Sequence, residues 1–260
     1  MGKRVWLPFP DTSTAHAALG EFPAGLDVDY FLAEGDWPDT ADEVEFLVAP
    51  YMYPPTKVLA RIDEMPKLQA VQLLSAGYDN YLPFLRPGMT LCNAAGVHDA
   101  STAELAVALA LVSNRKLDTF ARNMTSGTWR LEFAESLADR RVLIVGCGRI
   151  GGAIERRLAG FEVAGVTRVA RRARTRDVEV HAFTDLPALL PEADVVFVIT
   201  PLTPETEGMI GAAELAALPD GALLVNVSRG KVVDTDALVE ATREGRIRAG
   251  LDVTQPKTVT

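Results

Sequence analysis

"VLIVGCGRIGGAIERRL", residues 142–158, decides the fold. An apolar run leads into Gly146, Gly148 and Gly151 at G-x-G-x-x-G spacing, and a helical pattern follows. That order, strand then glycine turn then helix, is the context in which the spacing has a physical meaning. Gly146 permits the tight turn, and Gly148 lets backbone approach a pyrophosphate. Gly151 lets the helix pack close to the strand, so that its first amides face the phosphates. A strand–helix turn that binds nothing is the bland alternative, and the surrounding pattern argues against it.

Outward from this turn the alternation is regular. "RVLIVG", "EVAGVTR", "ADVVFVIT", "GALLVNVS" and "RAGLDVT" read as strands with helices between them. Runs buried on both faces, each followed by a helix, predict a doubly wound parallel sheet. Upstream, "RVWLPF", "VDYF", "VEFLVA" and "LQAVQLL" read as further strands, and "PPTKVLARI" as a short helix. Between the two regions, "STAELAVALALVSNRKLD" opens with Ser101 and Glu104 at capping-box spacing and predicts a buried connecting helix. The expected fold is α/β with two Rossmann-like or flavodoxin-like domains. A substrate domain over 1–95 precedes a dinucleotide-binding domain over 96–260.

Composition narrows the class. With 48% apolar and 23% charged residues, the 260-residue chain can bury a real core in each of two domains. A pI near 4.9 and net charge of −9 exclude broad binding to nucleic acid or an anionic membrane. No apolar run is long enough to span a bilayer, and the N-terminus lacks a signal-peptide core, so a cytoplasmic protein is expected. Cys92 and Cys147 stand far apart without ligand-spaced neighbours, which predicts neither a disulfide nor a metal site; both read as small buried apolar residues.

Against that acidity, "VTRVARRARTR" (166–176) gathers five arginines and no acid. It begins at the end of the strand after the glycine turn, where an NAD-preferring site carries an Asp or Glu for the ribose hydroxyls. Thr167 and Arg168 stand there instead. An acid would repel a 2′-phosphate, whereas an arginine can grip one bidentately beside a hydroxyl donor. The expectation is a pocket for NADP(H), preferred over NAD(H), formed by Arg168 with Arg171 or Arg172. Arg174 and Arg176 are expected to be solvated.

"VLIVGCGRIGGAIERRL", "ADVVFVITPLTPETEGMIG", "GALLVNVSRGKVVDTDALVEA" and "GRIRAGLDVT" together closely resemble the D-isomer-specific 2-hydroxyacid dehydrogenases, which include phosphoglycerate dehydrogenases and glyoxylate/hydroxypyruvate reductases. "VQLLSAGYDN" and "LCNAAGVHDASTAELAVAL" look like that family's substrate-domain loop and hinge. The resemblance implies two α/β domains with a cleft between them, a homodimer, and hydride transfer between NADP(H) and a small 2-oxo or 2-hydroxy acid. It places Arg149 and Ile150 over the pyrophosphate, Thr200 and Pro201 beside the adenosine, and Val227, Ser228 and Asp252 near the nicotinamide. Arg229 would clamp the substrate carboxylate and polarise its 2-oxo group, because a planar guanidinium meets a planar carboxylate. The backbone of Ala76 and Gly77 would add donors to that carboxylate.

The match breaks near the end. The family's glutamate, expected just past "LDV", is replaced by Lys257, and the chain stops before the family's catalytic histidine and its last strand and helix. Of the three histidines, His98 is expected to serve structure, and His16 and His181 to be solvated. Slow turnover is therefore expected. The alternative reading is a catalytically inactive, nucleotide-binding interaction or regulatory protein on the same fold.

Overall fold

The computed structural model describes residues 2–175 and 178–256; Arg176 and Lys257 lie outside the described residues. The chain divides into two compact units, Met1–His98 and Asp99–Thr260. That division comes slightly later than the 95/96 boundary expected from the sequence, at the very start of the first long helix.

In the first unit, strands β1 (Lys3–Leu7), β2 (Leu26–Tyr30), β3 (Phe46–Val48), β4 (Ala70–Gln72) and β5 (Thr90–Cys92) accompany helices α1 (Thr12–Leu19) and α2 (Pro55–Val58). The sheet runs β2-β1-β3-β4-β5 with every pair parallel. This is the flavodoxin-like order. Its core centres on fully buried Trp6, which packs on Phe31 and Trp37 and donates from Nε1 to Thr40 Oγ1 at 3.1 Å. The indole nitrogen is thereby satisfied where water does not reach.

The second unit starts with α3 (Asp99–Asn114) and α4 (Leu117–Thr125), then β6 (Arg141–Val145), α5 (Arg149–Leu158) and β7 (Gly165–Ala170). A short hairpin of β8 (Arg174–Thr175) and β9 (Glu179–Ala182) leads to α6 (Leu186–Leu189), β10 (Val195–Val198), α7 (Ala212–Ala217), β11 (Leu223–Asn226), α8 (Thr235–Arg243) and β12 (Arg248–Leu251). The sheet runs β12-β11-β10-β6-β7-β9-β8, and β8–β9 is the antiparallel pair. Strand order reverses between β6 and β10, which makes a switch point at their carboxyl ends. Both faces are covered. Leu143, Val145, Val196, Val198 and Leu224 join the cluster with Leu186, Leu215 and Leu238. Val142, Ile144, Val195, Phe197 and Val225 face Ala106, Ala110 and Ile154. The period-2 alternation within each apolar strand thus feeds two cores at once.

Helix α3, expected to be a buried connector, packs on α5, β11 and β12 of its own unit and is buried along one face only, with Leu105 and Val112 exposed. It begins at Asp99, so Ser101 and Glu104 lie inside the helix and Ser101 is not its N-cap. Cys92 and Cys147 are free and only half-buried, not buried as expected. Among the described residues no helix is long and apolar enough to cross a membrane.

The entry of β6 is tied to that of β10. Arg141 donates from its backbone nitrogen to Asp194 Oδ2 at 2.8 Å and from Nη2 to Oδ1 at 3.0 Å. The Arg141 side chain, first through its hydrogen bond, lowers the Asp194 pKa from 3.8. A carboxylate lowered on folding contributes stability above its unfolded pKa and loses it as pH falls through the folded value. The second unit should therefore lose stability below about pH 4. Asp194→Asn should lower the melting midpoint at pH 7 by a few degrees and flatten that acid limb. A variant whose melting profile against pH matches the unsubstituted chain would contradict the assignment.

Candidate functional site

At the switch point, β6 ends in a turn that its glycines make possible. Gly146 has φ of +122°, and a Cβ there would lie 2.4 Å from the Ile199 carbonyl oxygen. A Cβ on Gly151 would lie 2.2 Å from the Gly146 carbonyl oxygen, so the helix sits as close as backbone allows. Gly148 differs: a Cβ there would meet nothing within 4 Å. Gly148 is also the N-cap of α5 and supplies no side-chain cap. The first amides of this ten-residue helix thus carry no side-chain cap, and such a helix start favours an anion. The amides of Gly146 and Cys147 are fixed on the Val169 carbonyl at 2.8 and 3.1 Å, which couples the turn to the end of β7.

The neighbouring strand end is also primed. Thr200, 3% exposed, follows β10 with its Oγ1 buried and without a hydrogen-bond partner among the described residues. Such a hydroxyl costs free energy unless something bonds to it. Next to it the Pro201 carbonyl accepts from Thr206 Oγ1 at 2.6 Å, which shapes the loop. The open cradle over Gly148, the uncapped helix start and the orphaned hydroxyl all fit a dinucleotide.

Arg149 is exposed and its Nε donates to Asp99 Oδ2 at 2.8 Å. Ile150 is half-buried against the cluster shared by α3 and α5. Along β7, Thr167 pairs with Leu143 and Arg168 with Ile144 in the ladder. The Arg168 side chain, 18% exposed, clasps Glu155 on α5: Nε meets Oε2 at 2.7 Å, and Nη2 meets Oε1. Its Nη1 donates to the Val166 carbonyl at 3.1 Å. That hydrogen bond to Glu155 holds the Arg168 pKa above its usual value. Arg171 and Arg172 are exposed just past the strand. Arg174, expected to be solvated, is exposed yet donates from Nη2 to the Cys147 carbonyl at 2.8 Å, inside the glycine turn.

A second bend follows β11. Val227 and Ser228 are buried there, and Asn226 organises both sides. Asn226 Oδ1 accepts from the Ser228 amide at 3.0 Å and hydroxyl at 2.7 Å, while Nδ2 donates to the Arg229 carbonyl at 3.0 Å. Sequence reasoning passed over Asn226, although an asparagine that can bond its own chain two residues on is a recognisable turn signal. Arg229 is half-buried, and its Nη1 donates to the Ser228 carbonyl at 2.7 Å. Behind it, a Cβ on Gly230 would lie 2.4 Å from the Thr254 carbonyl carbon, so this bend is pressed against the chain leaving β12. Exposed Asp252 joins the same region through its amide on the Asn226 carbonyl at 3.1 Å.

The remaining histidine of this unit does not approach Arg229. His181 lies on β9, four positions from β11 in the sheet order, or about 19 Å at the usual strand spacing. In the first unit, His98 stacks on Tyr51 at 5.8 Å and bonds the Leu74 carbonyl at 3.2 Å, while His16 stands edge-on to Phe22 at 4.6 Å. Also there, the Ala76 carbonyl accepts from Asn93 Nδ2 and the Gly77 carbonyl from Ser75 Oγ, each at 2.8 Å. These bonds pin the loop after β4.

Comparison with known proteins agrees with this geometry. The profile described as "D-isomer specific 2-hydroxyacid dehydrogenase, NAD binding domain" matches residues 107–260. A glyoxylate reductase of Thermococcus onnurineus is 38% identical over 208 residues, covering 74% of this chain and 61% of that protein. The chain thus spans about 61% of the length of the first curated relatives it matches. A D-isomer specific 2-hydroxyacid dehydrogenase from Xanthobacter autotrophicus Py2, solved with NADPH and MES, is 30% identical. It superposes with a TM-score of 0.76 over 100% of this chain and 82% of that one. An NADPH-dependent glyoxylate/hydroxypyruvate reductase from Sinorhizobium meliloti, solved with NADP and malonate, is 26% identical with a TM-score of 0.75, over 100% and 82% of the two chains. With more than half of its length inside the matching profile, this chain belongs to the D-isomer specific 2-hydroxyacid dehydrogenase family.

Proposed function

We propose that this chain binds NADP(H) in preference to NAD(H) and serves reduction of a small 2-oxo acid such as glyoxylate to its 2-hydroxy acid. The observation that carries the reading is the open, uncapped start of α5 over Gly148, beside a strand end rich in arginine. The amides of Arg149, Ile150 and Gly151 hold the diphosphate. Thr200 Oγ1 and the Pro201 loop border the adenosine half, and Thr167 with the arginines after it favours a 2′-phosphate. Val227, Ser228 and Asp252 shape the nicotinamide's seat. When bound, the reduced nicotinamide supplies the hydride. Arg229 clamps the carboxylate and draws electron density from the 2-oxo group.

Titration by cofactor fluorescence should give tighter binding of NADPH than of NADH. Equal affinities would remove the 2′-phosphate argument. Glyoxylate-dependent loss of NADPH absorbance should follow, but slowly, since no histidine of the second unit lies near Arg229 to deliver the proton. Turnover of several per second, approaching the roughly 10 s⁻¹ of ordinary enzymes, would contradict that part.

A homodimer completes the reading. Trp129 and Phe133 are 96% and 92% exposed, with Leu131 between them and Met124 just upstream, all in the second unit. Large aromatic side chains bury about 150–250 Å² each. Four apolar side chains from each of two copies pass the roughly 1,000 Å² that a stable contact needs. The half-buried free thiols suit a reducing compartment, the cytoplasm. Sedimentation should show a dimer that Trp129→Asp with Phe133→Asp converts to monomer. A monomer at micromolar concentration before substitution would contradict it.

A further inference from the structure

We infer that Asp99 is a positioning residue for the dinucleotide's diphosphate: it holds Arg149 by Nε and leaves the end fork of the guanidinium for phosphate oxygens. The inference rests on the proposed diphosphate site at the start of α5 and adds a residue that does not itself touch the nucleotide. Arg149 is the first residue of that helix, and its side chain is 69% exposed. Its Nε donates to Asp99 Oδ2 at 2.8 Å, the one hydrogen bond that this side chain makes among the described residues. Nη1 and Nη2 are thus uncommitted, and together they form the pair of parallel donors that suits two oxygens of one phosphate group. Arg168 shows the contrast: it spends Nε and Nη2 on Glu155 and Nη1 on the Val166 carbonyl.

The fold holds the carboxylate still. Asp99 opens α3, and its side chain is only 18% exposed. A negative charge in the first turn of a helix is favoured by the macrodipole, so the carboxylate is stabilised where it stands. Ala103, Ala106 and Ala110 of α3 lie fully buried in one cluster with Ala153 and Ile154 of α5, and small side chains at such a contact let two helices approach closely. That packing accompanies a meeting of the two helix starts across 50 residues of sequence. Two effects of Asp99 then oppose each other. A carboxylate near a diphosphate repels it, and the charge of Arg149, in direct contact, offsets that repulsion. An exposed arginine must also be ordered before it can grip, and ordering one rotamer-rich side chain costs roughly 3- to 10-fold in affinity. Asp99 meets part of that cost in advance, so aiming outweighs repulsion. The ion pair itself adds little stability with so exposed a partner, and its effect falls on binding.

The test measures NADPH and NADH affinities, by cofactor fluorescence, for the unsubstituted chain, Asp99→Ala, Asp99→Asn, Arg149→Ala and the double alanine variant. Asp99→Ala should weaken both nucleotides by the same factor, roughly 3- to 10-fold, because the diphosphate is common to them. Asp99→Asn keeps an acceptor for Nε without the charge and should fall between; it also serves if the alanine variant does not fold. In the Arg149→Ala background, Asp99→Ala should weaken binding no further, since the carboxylate then has nothing to aim. Unchanged or tighter binding in a folded Asp99 variant, or an equal loss with and without Arg149, overturns the inference while the diphosphate site stands. A shift in melting midpoint with both affinities intact would make Asp99 purely structural and overturn it too. If the unsubstituted chain binds neither nucleotide, the diphosphate reading itself fails, and the role given to Asp99 fails with it.

Discussion

Gly151→Ala should destabilise the second unit severely, while Gly148→Ala should leave the fold intact and remove the dinucleotide. The two substitutions add the same methyl group three positions apart, and the structure treats them oppositely. At 151 the new Cβ would stand 2.2 Å from the Gly146 carbonyl oxygen and 3.3 Å from Ile144 Cγ2. The first neighbour is backbone, so α5 must lift from β6 and the packing of Ala153 and Ile154 loosens with it. Overpacking of this kind costs about 3 kcal/mol, or roughly 6–12 °C in melting midpoint for a unit of this size. At 148 the backbone is extended, with φ of −103°, and the methyl group meets nothing. It would occupy open space at the start of α5. NADPH affinity should fall at least about tenfold, with the melting midpoint unchanged. Normal NADPH affinity in a folded Gly148→Ala protein would mean that the open space serves something else.

The second large effect falls on Arg229. Arg229→Gln should lower kcat/KM for glyoxylate by about 10³-fold with little change in melting midpoint, as loss of one donor aimed at a developing oxyanion does elsewhere. Asn226 fixes the main chain at this bend by bonding the Arg229 carbonyl, and Gly230 packs the next residue against Thr254. The guanidinium is thus carried on a rigid support, which a carboxylate clamp requires. Arg229→Lys should not restore the rate, because an ammonium cannot offer two parallel donors to a carboxylate. Glyoxylate reduction that survives Arg229→Gln would place the clamp elsewhere.

What the sequence disclosed, and what it withheld, follows from the range of the interactions. The glycine turn was readable because two of its causes are local, a positive φ at Gly146 and the close approach of Gly151 to the Gly146 carbonyl, whereas the approach of Gly146 to Ile199 is not. Strands β6, β10 and β11 were readable because nearly every residue in them is buried. Elements with weak patterns escaped: α1, largely exposed with one buried alanine, the three-residue β5, and the β8–β9 hairpin. The arginine run was legible as positive charge but not as geometry. Glu155 lies thirteen residues from Arg168, across a helix and a strand, and no spacing rule announces that pair. The capping-box motif at Ser101 misled for a related reason, since the helix had already begun at Asp99. Asn226 was visible in "NVSRG", but its reach to both sides of the bend is apparent only in three dimensions.

A crystal structure of this chain soaked with NADPH tests the central claim most directly. The account predicts the diphosphate oxygens within hydrogen-bonding distance of the Arg149 and Ile150 amides, above Gly148. Nucleotide bound at any other place, with those amides still facing solvent, would contradict it.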